Sequence, residues 1–355
     1  MSPRFRERSI TITNRLFTAP MRRAADAEAV AVRVVRAAAT AAVRVATVGE
    51  VPAAVAAADA AAGIEGMNLK QNPKSENLKN LGVGLGFRPQ FRGELFLHRD
   101  KVDFLEITAD HYIDSAPPKL EELELLKQHF PLIPHGLSLS LGSAEGVDEI
   151  YLEKLAALVE QIRPEWWSEH ICFTKSGGID IGHLAPVPFT REAVNVLVRN
   201  IKHVKTVIET PLILENITYT FRYSRAEMTE TEFLRRILEE TDCGLLLDVT
   251  NLYINSVNHG FSWRKFLDEL PLERVVQLHF VGGHKRGNVM VDSHSQTTQA
   301  EIWEVFREVC RRANVKGAIL ERDENFPPFD LLIEELDTAR KILKNNKNFA
   351  KSLSV

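Results

Sequence analysis

The chain has 355 residues, of which 45% are hydrophobic and 26% charged, and its formal net charge is -4. Such a chain can seat a demanding site in one large core without disulfide support, and no basic excess advertises nucleic-acid binding. Its three cysteines (Cys172, Cys243 and Cys310) form no CxxC pair, and no apolar run reaches the ~18 residues of a membrane span, so a reducing, cytoplasmic setting with no membrane partner is expected.

Residues 1–66 are rich in Ala, Arg and Val and contain no Lys, whereas Lys and Asn become common from Met67 onward. Stretches such as Ala37–Ala42 and Ala53–Ala62 favour helix but offer few large side chains for a core. Three readings stand side by side: a disordered or helical low-complexity extension, a start site truly at Met67, or a targeting segment, since Met1–Arg23 holds several Arg and one acid, Glu7. Residues 67–80 read as a linker, 81–345 as the main domain and 346–355 as a flexible tail.

From Leu81 short apolar runs alternate with amphipathic stretches. In chain order the runs are Val83–Phe87, Val102–Thr108, Leu132–Leu141, Trp166–Phe173, Leu212–Ile217, Leu245–Leu252, Val275–Val281 and Ala318–Arg322. Continuous apolar character suits strands buried on both faces of a parallel sheet. Between them Leu120–His129, Asp148–Ile162, Arg191–Val207, Glu230–Glu240, Ala300–Ala313 and Leu331–Leu343 carry helical spacing, and Thr190, Thr229 and Thr298 stand at N-cap positions. This alternation predicts an α/β fold, a (β/α)8 TIM barrel. A doubly wound sheet is the alternative, but Gly82, Gly84 and Gly86 do not make its GxGxxG loop.

The chemistry of such a barrel lies at the C-terminal ends of its strands, and there ionisable residues interrupt the apolar runs. Strand two ends in Glu106, followed by Asp110 and His111. His135, His170, Glu215 with Asn216, Asp248 with Asn251, and His279 follow on strands three to seven. Asp292 and His294 form an Asp-x-His pair in the next loop, and strand eight gives Glu321 and Asp323. Each alone has a structural explanation. Together they would cost several kcal/mol apiece if buried without partners, and no matching set of Lys and Arg stands at these strand ends; Arg322 alternates away from Glu321. Bound cations remove that cost. Four histidines and four carboxylates exceed one ion's needs and fit two or three, and all-N/O ligation suits Fe, Zn or Mn.

The ordered set His135, His170, Glu215, Asp248, His279, Asp292, His294 and Glu321 resembles two barrel families: the zinc-dependent apurinic endonucleases and the multinuclear non-heme iron-dependent oxidative enzymes, which include the methanobactin biosynthesis oxidase. The wording "HGLSLSLG" at 135–142, "SEHICF" at 168–173, "LAPVPFT" at 184–190, "LENITYTF" at 214–221, "LLLDVTNLY" at 245–253, "HFVGGH" at 279–284, "VDSH" at 291–294 and "LERD" at 320–323 is similar to the second. The endonucleases usually carry a histidine at the position of Asn251. Two departures touch the substrate edge and the flanks of a ligand: Asp110-His111-Tyr112 where the family commonly shows Glu-Asn-Tyr, and Glu169 and Cys172 where other members often have Asp and Trp.

The resemblance implies a xylose-isomerase-like barrel holding a mixed-valence cluster of two or three irons. It also implies O2 as co-substrate and an oxidoreductase that modifies a residue, first of all Cys, of a ribosomally made (RiPP) peptide presented by a separate leader-recognition partner. The expected partition puts His135 and His170 on one ion with Glu215 bridging, Asp248, His279 and Glu321 on a second, and Asp292 and His294 on a third or completing the second. Asp323 and His111 are expected as proton-transfer or supporting residues, and Glu106, Asn216 and Asn251 as further ligands or their supports. The rival functions are a trinuclear zinc phosphodiesterase and a divalent-metal sugar isomerase. Lys285 and Arg286 form no dense basic stripe, so nucleic acid is disfavoured as a partner.

Overall fold

The structure is a computed structural model that describes the backbone of residues 78–352 and the side chains of residues 78–345. The expectations for residues 1–66 and for most of the 67–80 linker fall outside it, as do the side chains of 346–355. Its strands are β1 (Gly82–Gly86), β2 (Leu105–Thr108), β3 (Leu132–His135), β4 (Trp167–His170), β5 (Phe173–Ser176), β6 (Ile179–Ala185), β7 (Leu212–Glu215), β8 (Gly244–Asp248), β9 (Val275–Phe280), β10 (Gly282–Arg286), β11 (Val289–Gln296) and β12 (Gly317–Leu320). Eight of them close into a parallel barrel in the order β1-β12-β9-β8-β7-β4-β3-β2. The predicted α/β barrel is therefore the fold. Among the described residues no helix is long and apolar enough to cross a membrane.

The predicted apolar runs overlap the eight barrel strands, but several end sooner. The third run ends as a strand at His135: Gly136 still donates its N–H to the Ser168 carbonyl at 2.8 Å, in a place where a Cβ would come within 2.5 Å of Glu169 Oε2, and Ser140 then turns at φ 58°. Leu245–Leu252 is part strand and part helix: Asp248 ends β8 and caps the helix Val249–His259 by accepting from the Thr250 and Asn251 N–H groups. The helices Glu149–Ile162, Arg191–Val207 and Glu230–Thr241 are capped by Asp148, Thr190 and Thr229. Thr298 is not a cap. Gln299 takes that position without a side-chain bond, and the Thr298 N–H is instead held by Glu335.

Two antiparallel hairpins, β5–β6 and β10–β11, follow the C-terminal ends of β4 and β9. Their strands are largely exposed or half-buried, so they lack the apolar runs that mark the barrel.

Strand alternation divides the interior. Phe104, Ile133, Trp166, Ile213, Leu246, Val276 and Ile319 form an apolar floor, separate from the larger core between strands and helices. Two residues further along five of these strands stand Glu106, His135, Glu215, Asp248 and Glu321. The floor closes the barrel below, so polar groups at the next level meet one another rather than bulk water.

Candidate metal centre

His135, His170, Glu215 and Asp248 are the last residues of β3, β4, β7 and β8. His279 is the last but one of β9, and Glu321 follows β12. Glu106 is the second residue of β2, which runs on to Thr108, so it lies deeper than a strand end. Asp292 and His294 stand on β11 of a hairpin, not in a plain loop, and His294 takes φ 48°.

Glu215 is the hub. Its Oε2 lies 3.3 Å from His135 Nε2 and 3.3 Å from His170 Nε2, and its Oε1 lies 3.3 Å from His279 Nδ1. Each imidazole is turned by a bond at its other nitrogen. His135 Nδ1 meets Ser168 Oγ at 2.8 Å, and His170 Nδ1 donates to the Gly136 carbonyl at 3.0 Å. Such outer bonds fix the ring plane and leave Nε2 facing the shared point.

His279 is turned the opposite way. Its Nε2 faces Glu106 Oε1 at 2.8 Å, while Nδ1 faces Glu321 Oε2 at 3.1 Å as well as Glu215. His294 links this group to the hairpin: its Nε2 is 2.8 Å from Asp292 Oδ1, and its Nδ1 is 3.0 Å from Asp323 Oδ2 and 3.7 Å from Glu321 Oε2. Thr218 Oγ1 donates to Asp292 Oδ2 at 3.3 Å.

Seven of the eight expected ligands thus fall into four subsets whose ligand atoms lie within 4.8 Å of one another (His135, His170 and Glu215; Glu215, Asp248, His279 and Glu321; Glu106, His135 and Glu321; and His294, Glu321 and Asp323), while Asp292 lies in none of them and reaches the cluster through His294. Asn216 and Asn251 stand behind Asp248. Asn216 accepts from the Asp248 N–H and donates to its carbonyl, and Asn251 donates to the Asn216 carbonyl. His111 sits exposed at the end of a 3-10 turn, outside all four groups. Partial desolvation of the ring, together with Arg88 and Lys119, lowers its pKa.

Whether cations fit can be judged from the atoms left over. Apart from the ion-pair contacts just given, Glu215 Oε2, Asp248 Oδ2, His279 Nδ1 and Asp292 Oδ1 are buried with no hydrogen-bond partner. All four border the converging groups. Leaving such atoms dry costs ~1–3 kcal/mol each, more if charged. Without an ion the imidazoles must serve as the cations. Burial opposes charge on His170, but Glu215, Glu169 and Glu321 outweigh it and raise the imidazole to about 9. Burial likewise opposes charge on Glu215, but His279, His170 and His135 hold that carboxyl down at about 2. Asp248 is pushed well up by burial and by Glu215 and Asp292. Two carboxylates side by side, one held ionised and the other forced toward neutrality, form a site that a divalent cation would satisfy.

One cation at the rim went unnoticed in the sequence. Arg88, just after β1, donates Nε to Asp323 Oδ1 at 2.7 Å, also pairs with that carboxylate through its second nitrogen, and lies 3.6 Å from Glu321. Asp323 therefore spends one oxygen on Arg88 and the other on His294. Arg322 turns away, as its alternation implied, and meets Glu335 at 3.4 Å. Ser168 and Gln277 were also overlooked. Their signal was available: each is a polar residue two positions before a ligand candidate, Gln277 in an otherwise apolar strand and Ser168 next to the buried Glu169. Burial, with Glu169 and Glu215 nearby, pushes the Cys172 thiol well up, as for a small buried core residue.

The profile of the family described as "RiPP precursor modification enzyme MbnB/TglH/ChrH" matches residues 82–344. A UPF0276 protein of Caulobacter vibrioides (strain NA1000 / CB15N) is 36% identical over 260 residues, covering 73% of this chain and 93% of the relative. Another, of Anaeromyxobacter sp. (strain Fw109-5), is 34% identical over 262 residues, covering 74% and 93%. Among solved structures, apo 3-keto-D-glucoside 4-epimerase (YcjR) from E. coli superposes with a TM-score of 0.47 at 14% identity, over 74% of this chain and 99% of that one. A xylose isomerase domain protein from Planctomyces limnophilus gives 0.47 at 13%, over 76% and 99%.

Proposed function

Since the chain belongs to the MbnB/TglH/ChrH family of RiPP precursor modification enzymes, we propose that it is an iron- and O2-dependent oxidase that modifies a residue, first of all Cys, of a ribosomally made peptide. Two or three ions would be held by His135, His170, Glu215, Asp248, His279, Asp292, His294 and Glu321. The observation that carries this reading is Glu215, a buried carboxylate at 3.3 Å from three imidazole nitrogens with an oxygen that nothing hydrogen-bonds. Bound iron would supply the electron transfer and oxygen chemistry that side chains lack.

The chain's own residues do the rest. Ser168 and the Gly136 carbonyl aim two imidazoles; Asn216 and the first turn of Val249–His259 hold Asp248 with one oxygen free. The apolar floor excludes water from below. Arg88 balances the charge at Asp323 and Glu321. A peptide would cross the rim between the hairpins. Beside it, a cavity of about 400 Å³ lined by Phe189, Tyr219, Tyr223, Phe261 and Phe266 suits an apolar side chain of that peptide. Its wall shares one loop with the site, since Thr218 bonds Asp292 and Tyr219 faces the cavity.

The test is metal content and Mössbauer or EPR spectra of protein purified without oxygen, followed by O2 consumption with a Cys-bearing precursor peptide and its partner protein. Two or more irons per chain with peptide-dependent O2 uptake are expected. Zinc alone under iron-replete expression, with cleavage of phosphodiesters without O2, would turn the reading to the zinc hydrolase.

A further inference from the structure

The deepest polar residues in the barrel form a chain. Trp166 Nε1 donates to Gln277 Oε1 at 2.7 Å; Gln277 Nε2 donates to Glu106 Oε2 at 2.5 Å; Glu106 Oε1 meets His279 Nε2 at 2.8 Å. Trp166, Gln277 and His279 are 0% exposed, and Glu106 is 3% exposed. The chain crosses the interior from the start of β4 through β9 to β2, directly on the apolar floor. Two local features make room for it. β9 carries a bulge, Leu245 pairing with Val275 and Leu246 with Gln277, which places Val276 in the floor with Gln277 above it. Gly317 faces the indole, where a Cβ would come within 3.2 Å of Trp166 Cζ2 and 2.9 Å of Phe104 Cζ.

We propose that Trp166, Gln277 and Glu106 are positioning residues that act as a one-way hydrogen-bond relay, fixing the His279 tautomer so that Nδ1 is its metal-binding nitrogen. The direction follows from donor chemistry. An indole N–H can only donate, so the Gln277 atom beside it is the oxygen and its NH2 points to Glu106. Glu106 accepts that N–H on one oxygen and offers the other to His279 Nε2 at 2.8 Å; Gln277 Nε2 also lies 3.2 Å from that ring nitrogen, but its N–H is directed to Glu106 at 2.5 Å, so the nearer carboxylate, which only accepts, decides the tautomer. The proton of His279 then sits on Nε2, and the Nδ1 lone pair faces Glu215 Oε1 at 3.3 Å and Glu321 Oε2 at 3.1 Å. A neutral ring of the opposite tautomer would place an N–H there. His135 and His170 obtain the same service from Ser168 and a carbonyl on the rim; His279 obtains it from the floor, through three residues. The inference rests on the metal centre of the proposed function but not on iron or O2.

The test uses the full chain labelled with 15N-histidine and loaded with Zn(II), a diamagnetic probe that N/O ligands accept. Long-range 1H–15N spectra should place the His279 proton on Nε2 and the metal on Nδ1. In Glu106→Gln one amide oxygen must serve two donors. The Gln277 NH2 cannot turn away, because Trp166 holds its oxygen, so the amide NH2 at position 106 faces His279 and drives its proton to Nδ1. Zn(II) affinity should then fall ~10–100-fold, the usual loss when a ligand's outer partner is removed. In the triple variant Glu106→Gln/Gln277→Leu/Trp166→Phe, the amide at 106 is free to turn its oxygen to His279, and the proton returns to Nε2. A merely structural role would move melting temperatures and leave the proton in place. Should Glu106→Gln fail to fold, the double variant Gln277→Leu/Trp166→Phe keeps the test, since it should keep the Nε2 proton yet broaden the ring's orientation and weaken Zn(II) several-fold. A proton on Nδ1 in the wild type, or a Zn(II) affinity within about twofold in every variant, overturns the relay while leaving the metal centre standing. No Zn(II) uptake by the wild type overturns both.

Discussion

Glu215→Gln keeps the shape of the hub and removes its charge. In the metal-free protein Glu215 is the strongest of the carboxylates that raise His170, against burial, from 6.5 to about 9. That rise of about 2.5 units is worth about 3 kcal/mol at 1.36 kcal/mol per unit. The sign follows from the direction: a group whose folded pKa lies above its unfolded value stabilises the fold fully below pH ~6.5, and that contribution is lost as pH rises toward 9. The metal-free wild type should therefore lose stability between pH 6.5 and 9, read as a falling melting temperature. Glu215→Gln should be flatter across that window, and a histidine NMR titration should show His170 titrating at least one unit lower. With metal present, the same substitution removes a ligand shared by two of the converging groups, so metal content should fall by at least one ion per chain. A variant that keeps both the wild-type titration of His170 and the wild-type metal count would refute the hub.

Metal uptake should also depend on pH in its own right, because His170 must shed its proton to bind an ion; affinity rises with pH up to about 9, by up to ~1 log unit per pH unit for that group, and competition titrations at several pH values check it. Asp292→Ala should empty the hairpin-side position and leave the His135–His170–Glu215 group loaded, which metal analysis and spectra of the remaining ions can distinguish. Asp148→Ala removes the cap that accepts from the Ile150 and Tyr151 N–H groups, at a cost of ~1 kcal/mol in urea unfolding and with metal content unchanged. Phe306→Ala opens a hole in the Phe280–Trp303–Phe306 ring cluster, whose centroids lie 5.1–5.4 Å apart, and should cost ~3–5 kcal/mol in the same assay.

Much of this was legible in the residues because the barrel imposes simple rules. A strand buried on both faces must be apolar throughout, so eight runs could be read directly, and a charged residue inside one had to be an exception with a purpose. His170 in "SEHICF" and Asp248 in "LLLDVTNLY" are such exceptions. The hairpins β5–β6 and β10–β11 escaped because "GGHKR" and its neighbours are half-exposed strands without a core face. The helix Val249–His259 was hidden for the opposite reason, since its first turn is as buried as the strand before it.

The sequence by itself determined which ionisable side chains stand at the strand ends and on which level of the barrel, because strand order and a two-residue period are local properties of the chain. Only the tertiary structure decided who faces whom. That Glu215 rather than Asp248 sits among three imidazoles, that Arg88 from the first strand's end answers Asp323 from the last, and that Trp166 reaches His279 through Gln277 and Glu106 all depend on how a closed, twisted sheet brings distant strands together. Those distances are set by barrel closure and by one bulge on β9.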